Sequence, residues 1–295
     1  MFSSVPKILH TILGKPIIEF VVEIAESIGS DQIVLVVGKQ KNEFSKIIGR
    51  RVTYAVQPAP LGTGDAAKIG LTHTHQESIL ILLGDAPAIK PETLYRMMEF
   101  HCLKKAALTV LTCALSDPGR YGRIVRDRRG QLKEIIEHSD ASAAQRSIRE
   151  INSGMYFGQK SAMVSAVARL TDRNRQSEFY LTDIVRHLIA AKKSVVGYKI
   201  ENEEEIHGIN SRTDMARMRG FIKQRWFEDL MERGVWIEDP ATTTIDLSVK
   251  IGDHVRIRPY TMLEGRTRIP DGQTVGPFVW IRDNKCCVML PERKR

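Results

Sequence analysis

From residue 245 to residue 281 the chain keeps a strict six-residue period: Ile245, Ile251, Ile257, Leu263, Ile269, Val275 and Ile281, with Gly, Asp and Pro between them. A run of ordinary hairpins would not hold that spacing over seven positions. One inward aliphatic per unit suits short strands joined by corners, stacked as a triangular β-helix. At three units to a coil there is room for about two coils. Such an array buries its faces only against neighbours, so this one is capped by the tail NKCCVMLPERKR, packed on another chain, or cut short. The change of character after Gly234 predicts two domains, residues 1–234 and 235–295.

Within the first domain, Ile33 to Val37 and Ile79 to Leu83 are continuous aliphatic runs followed by Gly38 and Gly84. They read as strands buried on both faces of a parallel sheet. Helix-like stretches alternate with them: Pro16 to Ile28, with Pro in the first turn, then PETLYRMMEFHCLKKA, Glu178 to Ala191, and Ser211 to Arg233. AALTVLTCAL reads as a further strand, and YGRIVRDRRGQLKEIIEHSD as an inserted hairpin. This alternation predicts a doubly wound α/β domain whose ligands bind along the edge formed by the strand C-termini.

The bulk numbers exclude some classes. With 42% hydrophobic and 27% charged residues, the 295-residue chain has an ordinary soluble composition. Its longest apolar runs, ILILL and IVLVV, are too short to span a bilayer, and the N-terminus has no signal-peptide pattern, so no membrane and a cytoplasmic location are expected. Four cysteines without a C-x-x-C pair suggest neither a disulfide framework nor zinc. The net charge of +9 is dispersed, which argues against nucleic acid and fits a small phosphorylated substrate. His73 and His75 in THTH lack a third partner and read as surface residues.

Several short motifs can carry chemistry, and each has a plain structural use. In QPAPLGTGDA, Gly62 and Gly64 flank Thr63 and let backbone approach a ligand, while Gln57 offers a donor and an acceptor to a base edge. In ILILLGDAP, Asp85 stands where α/β folds bind ligands and where Mg²⁺ needs a hard oxygen; it could equally cap the helix at Pro91. Asn152 in EINSGMYF, Glu137 in IIEHSD and Tyr180 in FYLTD also serve as a turn residue, a surface acid and a packed ring. Thr182 or Asp183 could cap the helix after Tyr180. Asn210 in HGINSRTD is more often an N-cap than a ligand. Lys7, after Pro6, looks like a loop cation for a phosphate.

In this order, SSVPKILHTILGKPII, QPAPLGTGDA, LLGDAPAI, YGRIVRD, IIEHSDAS, REINSGMY, SEFYLTDIV, GINSRTD and DPATTTID resemble the pyrophosphorylase region of the GlmU family, the N-acetylglucosamine-1-phosphate uridylyltransferases. The likeness runs from about Ser4 to the end of the chain. It implies a Rossmann-like nucleotidyltransferase domain followed by the start of a left-handed β-helix. The implied reaction is Mg²⁺-dependent formation of UDP-N-acetylglucosamine and pyrophosphate from UTP and N-acetylglucosamine 1-phosphate. By the same resemblance Asp85 and Asn210 hold the metal, Lys7 meets the phosphates, Gln57 and Gly62 read uracil, and Thr63, Gly122, Glu137, Asn152 and Tyr180 contact the sugar. A homotrimer through the β-helix is a further implication; the acetyltransferase half is expected to be absent.

Departures from the family qualify these expectations. The family's strand and glycine-rich loop L-A-A-G-x-G-T-R-M, upstream of the Pro-Lys step, has no counterpart here, which predicts a weakened triphosphate site and open sheet edges. Leu83 stands where relatives carry Tyr, and Phe179 replaces another Tyr. Two alternatives to the full enzyme therefore stay open: a noncatalytic sugar-nucleotide-binding remnant, and a nucleotidylyltransferase for another hexose 1-phosphate.

Overall fold

The structure, a computed structural model, describes residues 5–287; the Ser3-Ser4 pair and the tail from residue 288, part of the candidate cap, lie outside them. Two compact units are present: Val21–Gly208, and the described residues up to Phe20 together with those from Ile209 onward. Among the described residues no helix is long and apolar enough to cross a membrane.

The chain starts with a 3-10 turn at Lys7–Leu9 and a minimal hairpin of β1 (Thr11–Ile12) and β2 (Lys15–Pro16). Leu13 and Gly14 close it at φ 47° and 77°. Helix α1 (Ile17–Ser27) follows. Pro16 is thus the last residue of a strand, paired with Thr11, and not part of the first helical turn as its sequence position suggests.

In the larger unit the elements run β3 (Val34–Val37), α2 (Lys41–Ile48), β4 (Thr53–Val56), α3 (Thr63–Thr72), β5 (Ser78–Ile81), α4 (Pro91–Lys104), β6 (Leu108–Ala114), β7 (Arg123–Arg126), β8 (Leu132–Ile136), α5 (Ala143–Arg146), β9 (Glu150–Gln159), α6 (Lys160–Val167), α7 (Asp183–Ala190) and β10 (Val195–Ile200). The class is α/β, but the sheet is mixed. β6 pairs in parallel with β10 on one side and antiparallel with β9 on the other. The second edge of β9 is shared: Ile151 pairs with Arg123 of β7, and Tyr156 to Gln159 pair with β5. The expected all-parallel neighbours of β5 are replaced because the β7–β8 hairpin returns the chain through β9 in the opposite direction. β5 is accordingly only half-buried. β3 pairs with β4 in parallel, as a separate two-stranded sheet.

Strand alternation divides the core. Leu108, Val110 and Tyr156 face α6 and α7, meeting Met163, Ile184 and Leu188. Leu111, Cys113, Ile151 and Phe157 face the other way, onto Leu94 and Met97 of α4. Each fully buried aliphatic of this kind contributes about 1.5–3 kcal/mol, which locks the register of β6 against β9.

In the second unit, α8 (Arg212–Glu232) opens with a reciprocal capping box: the Ser211 hydroxyl accepts from the Asp214 N–H, and the Asp214 carboxylate accepts from that of Ser211. Then come β11 (Trp236–Ile237), β12 (Thr244–Ile245), β13 (Lys250–Ile251), β14 (Arg256–Ile257), β15 (Thr261–Glu264), β16 (Arg268–Ile269), β17 (Thr274–Val275), β18 (Val279–Arg282) and β19 (Lys285–Cys286). They form three columns of parallel strands, β11-β14-β17, β12-β15-β18 and β13-β16, with β19 folding back antiparallel on β18. Thr244 pairs with Met262, Lys250 with Arg268, and Arg256 with Thr274, the advance that three six-residue units produce. Ile245, Ile257 and Leu263 are fully buried, and Phe227 and Leu230 of α8 join their core. Corner carboxylates tie one coil to the next: Asp271 accepts from the Asp253 N–H at 3.0 Å and Asp283 from the Arg266 N–H at 2.8 Å.

Candidate active site

The fork in β9 creates the site. Where that edge passes from β7 to β5, the register of β6 against β9 slips between Val110 and Thr112. Ser153 fixes the irregularity by donating to the Leu111 carbonyl at 2.7 Å and accepting from the Met155 N–H at 3.1 Å. Asn152, buried beside it, has both ends of its amide tied: Oδ1 accepts from the Gly154 N–H at 3.1 Å, and Nδ2 donates to the Tyr156 hydroxyl at 2.8 Å. Gly154 sits at φ 81°, and a Cβ there would lie 2.8 Å from Leu83 Cδ1, so the end of the β5 segment rests directly on this turn.

Gly122 is next to Asn152, whose N–H donates to the Gly122 carbonyl at 2.9 Å. A Cβ on Gly122 would lie 3.5 Å from Glu137 Oε2 and 3.1 Å from Ile135. Burial pushes the Glu137 carboxyl above the usual carboxylate range; the Thr182 hydroxyl, donating to Oε1 at 3.0 Å, opposes this, and the charges of Asp140, Asp183 and Glu178 add to it. Thr182 occupies the N-cap position of α7, yet its hydroxyl makes no cap bond and serves Glu137 instead. Tyr180, also buried, donates to Gln176 Oε1 at 2.8 Å and lies 3.3 Å from the Ser139 hydroxyl.

The G-T-G loop joins the same group. Thr63 Oγ1 accepts from the Leu181 N–H at 3.2 Å, between Tyr180 and Thr182. Gly62 adopts φ 109°, and a Cβ there would come within 2.6 Å of the Phe179 carbonyl oxygen. The close backbone approach that the glycines permit is therefore made to the chain's own Phe179, reinforced by the Phe179 N–H to Leu61 and the Gly64 N–H to Phe179 bonds. Gln57 donates to the Gly62 carbonyl at 3.2 Å and to Asp65 Oδ2 at 2.8 Å, leaving its carbonyl oxygen as the group to meet a ligand. Within the larger unit, Gln57, Gly62 and Thr63 are thus linked to Glu137, Gly122 and Asn152 through Leu181 and Thr182, which directly follow Tyr180.

Asp85 follows β5 in the same unit, and a Cβ on Gly208 would lie 3.3 Å from its Oδ1, so glycine at 208 spares that carboxylate a tight contact. Asp85 does not cap α4. That work falls to Glu205, whose Oε2 accepts from the Lys90 N–H at 3.1 Å and the Thr93 hydroxyl at 2.6 Å. In the second unit, Lys7 Nζ donates to Asn210 Oδ1 at 2.9 Å. Asn210 is not the N-cap either; it precedes the capping Ser211 and gives its own N–H to Asp214 at 2.9 Å. Among the described residues no group of three or more His, Cys, Asp or Glu side chains is placed to hold a metal ion. A single hard carboxylate such as that of Asp85 still fits a Mg²⁺ ion, which takes one or two protein carboxylates and completes its shell with water and phosphate oxygens.

Three residues that motif reading passes over belong to the site. Tyr156 anchors Asn152, and it was accessible as the fourth residue on along an alternating strand. Thr182 holds Glu137. Arg123 is 2% exposed and forms no ion pair with a carboxylate among the described residues, and its guanidinium donates to the carbonyls of Gly119 at 2.9 Å, Pro118 at 3.3 Å and Arg146 at 3.2 Å, and to that of Tyr121. It therefore fixes the loop that delivers Gly122.

The profile of the Nucleotidyl transferase family matches residues 2–227, so the chain belongs to that family, as a member of GlmU type. Its relatives include the Bifunctional protein GlmU of Caldanaerobacter subterraneus subsp. tengcongensis, 38% identical over 98% of this chain, and that of Carboxydothermus hydrogenoformans, 37% identical over 96%. The chain spans 64% of the length of each. Among solved structures, UDP-glucose pyrophosphorylase complexed with UDP-glucose matches with a TM-score of 0.61 over 75% of this chain and 91% of the other, at 18% identity, a likeness of fold.

Proposed function

We propose that the chain is a uridylyltransferase that forms UDP-N-acetylglucosamine and pyrophosphate from UTP and N-acetylglucosamine 1-phosphate. The observation that carries this reading is the chain of contacts that joins Gln57, Gly62 and Thr63, through Leu181 and Thr182 beside Tyr180, to Glu137, Gly122 and Asn152. A base-reading loop and a buried polar cup for a sugar are what a nucleotide-sugar site requires.

In the proposed reaction a phosphate oxygen of the sugar 1-phosphate attacks the α-phosphorus of UTP, one P–O bond forms, and the bond to the β-phosphate breaks to release pyrophosphate. The protein's part is positioning and charge neutralisation. The Gln57 carbonyl and the Gly62 backbone orient the uracil. Asn152, clamped at both ends, and Glu137 hold the sugar, with Gly122 leaving room for it and Thr63 and Tyr180 closing the wall. Lys7 supplies positive charge to the phosphates once it leaves Asn210. Asp85 would hold Mg²⁺, which when bound neutralises phosphate charge.

The strand columns are proposed to be the opening of a left-handed β-helix, functionally divided from the transferase part at residue 234, and a surface for homotrimer formation. The test is pyrophosphate release from UTP and Mg²⁺ with N-acetylglucosamine 1-phosphate, glucose 1-phosphate or neither. Turnover that depends on the acetamido sugar supports the reading. Preference for glucose 1-phosphate, or tight UDP-sugar binding without turnover, replaces it by one of the two alternatives.

A further inference from the structure

Between α6 and α7 the larger unit has a cavity of about 230 Å³ that the proposed reaction does not use. On the α6 side it is lined by Ser161 and Ser165, one turn apart, and by Arg169 beyond the helix end. His187 of α7 and Lys193 in the turn after it line the other side, and Gln159 closes it at the end of β9. No lining residue is acidic. Arg169 and Lys193 make no ion pair among the described residues. Asp183, the carboxylate that influences His187, lies one turn earlier on α7 and is paired with Arg186 at 3.0 Å. Nε2 of His187 is buried without a hydrogen-bond partner.

Arg169 and Lys193 bring two positive charges to one hollow, and an anion between them relieves their repulsion. We propose that this cavity binds a phosphate group, free or as the monoester of a small metabolite, seated between the Arg169 guanidinium and the Lys193 ammonium with the Ser161 and Ser165 hydroxyls as further donors. A tetrahedral phosphate accepts hydrogen bonds from several directions at once, which suits donors on two facing walls, whereas a carboxylate accepts in one plane. The volume also fits: a cavity of about 150 Å³ takes up a benzene ring, so this one holds a phosphate and a short carbon chain.

Lys192 precedes Lys193 and is not part of the lining, which provides an internal reference. Amine acetylation of the whole chain, read by peptide mass spectrometry, reports both side chains in one sample. The probes are inorganic phosphate and glycerol 3-phosphate, against chloride and acetate at equal ionic strength. At about twice its Kd a bound phosphate slows acetylation of Lys193 about threefold relative to Lys192. Arg169→Ala, an exposed position, abolishes that protection and keeps the Lys192 rate. Protection by inorganic phosphate alone assigns the site to the free anion; protection at lower glycerol 3-phosphate concentration assigns it to a monoester. Equal rates for Lys193 in phosphate and chloride, equal protection by acetate, or undiminished protection in R169A would overturn the proposal.

Discussion

The Thr182 hydroxyl donates to Glu137 Oε1 across 45 residues of sequence, at 3.0 Å. This bond holds a partly buried carboxylate at the wall of the proposed sugar cup, and desolvation raises its pKa. Because the folded value lies above the unfolded one, the native state retains the proton longer than the unfolded chain does. Stability therefore falls as pH rises from the ordinary Glu pKa to the raised folded value, and the loss is complete above it.

Glu137→Gln removes that penalty and keeps an oxygen for Thr182. The variant is expected to melt above the wild type at about pH 8, with the gap closing toward about pH 4. Thermal unfolding across the pH range checks this. A gap that widens on acidification would contradict the raised pKa.

Tyr156→Phe leaves the buried Asn152 Nδ2 without its acceptor. Loss of about 1–3 kcal/mol in urea unfolding is expected from an unsatisfied buried donor. A neutral result would show that the amide finds another partner.

Gly62→Ala meets both a positive φ of 109° and the Phe179 carbonyl oxygen. Destabilisation beyond about 1 kcal/mol follows where alanine is forced into such a backbone. Gly29→Ala is a control for φ alone: Gly29 has φ 75° and nothing within 4 Å of an added Cβ. It should cost less in the same denaturant series.

Arg123→Lys keeps the charge but loses the planar fork that reaches four carbonyls. A loss of about 2 kcal/mol or more is expected, since bonds to charged groups contribute about 1.5–3 kcal/mol each. If the loop it holds serves Gly122, sugar-nucleotide affinity drops more than affinity for UDP. Equal losses for both ligands would leave Arg123 with a purely structural role.

Local chemistry made some of this legible in the sequence. The six-residue period gave the strand columns because each inward aliphatic repeats one short-range rule, while the cap of α8 lies at Ser211 with Asp214, one residue after the expected Asn210. What was hidden is long-range. Glu205 caps Lys90 from 115 residues away, and Thr63 meets Leu181 from 118 away, so Asp85 and Thr182 looked like caps for want of any sign of these partners. The antiparallel course of β9 was hidden for the same reason: an aliphatic strand carries no mark of its neighbour's direction. Candidate residues carried by quoted motifs, such as Gln57 and Asn152, are named by resemblance, whereas the carbonyls that Arg123 reaches show only in the coordinates.

Equilibrium binding of UDP-N-acetylglucosamine to the wild type, Asn152→Ala and Glu137→Gln tests the cup most directly, with UDP alone as reference. Each variant is expected to weaken the sugar nucleotide about tenfold, or about 1.4 kcal/mol, while UDP binds unchanged. Wild-type affinity for UDP-N-acetylglucosamine in both variants would contradict the account.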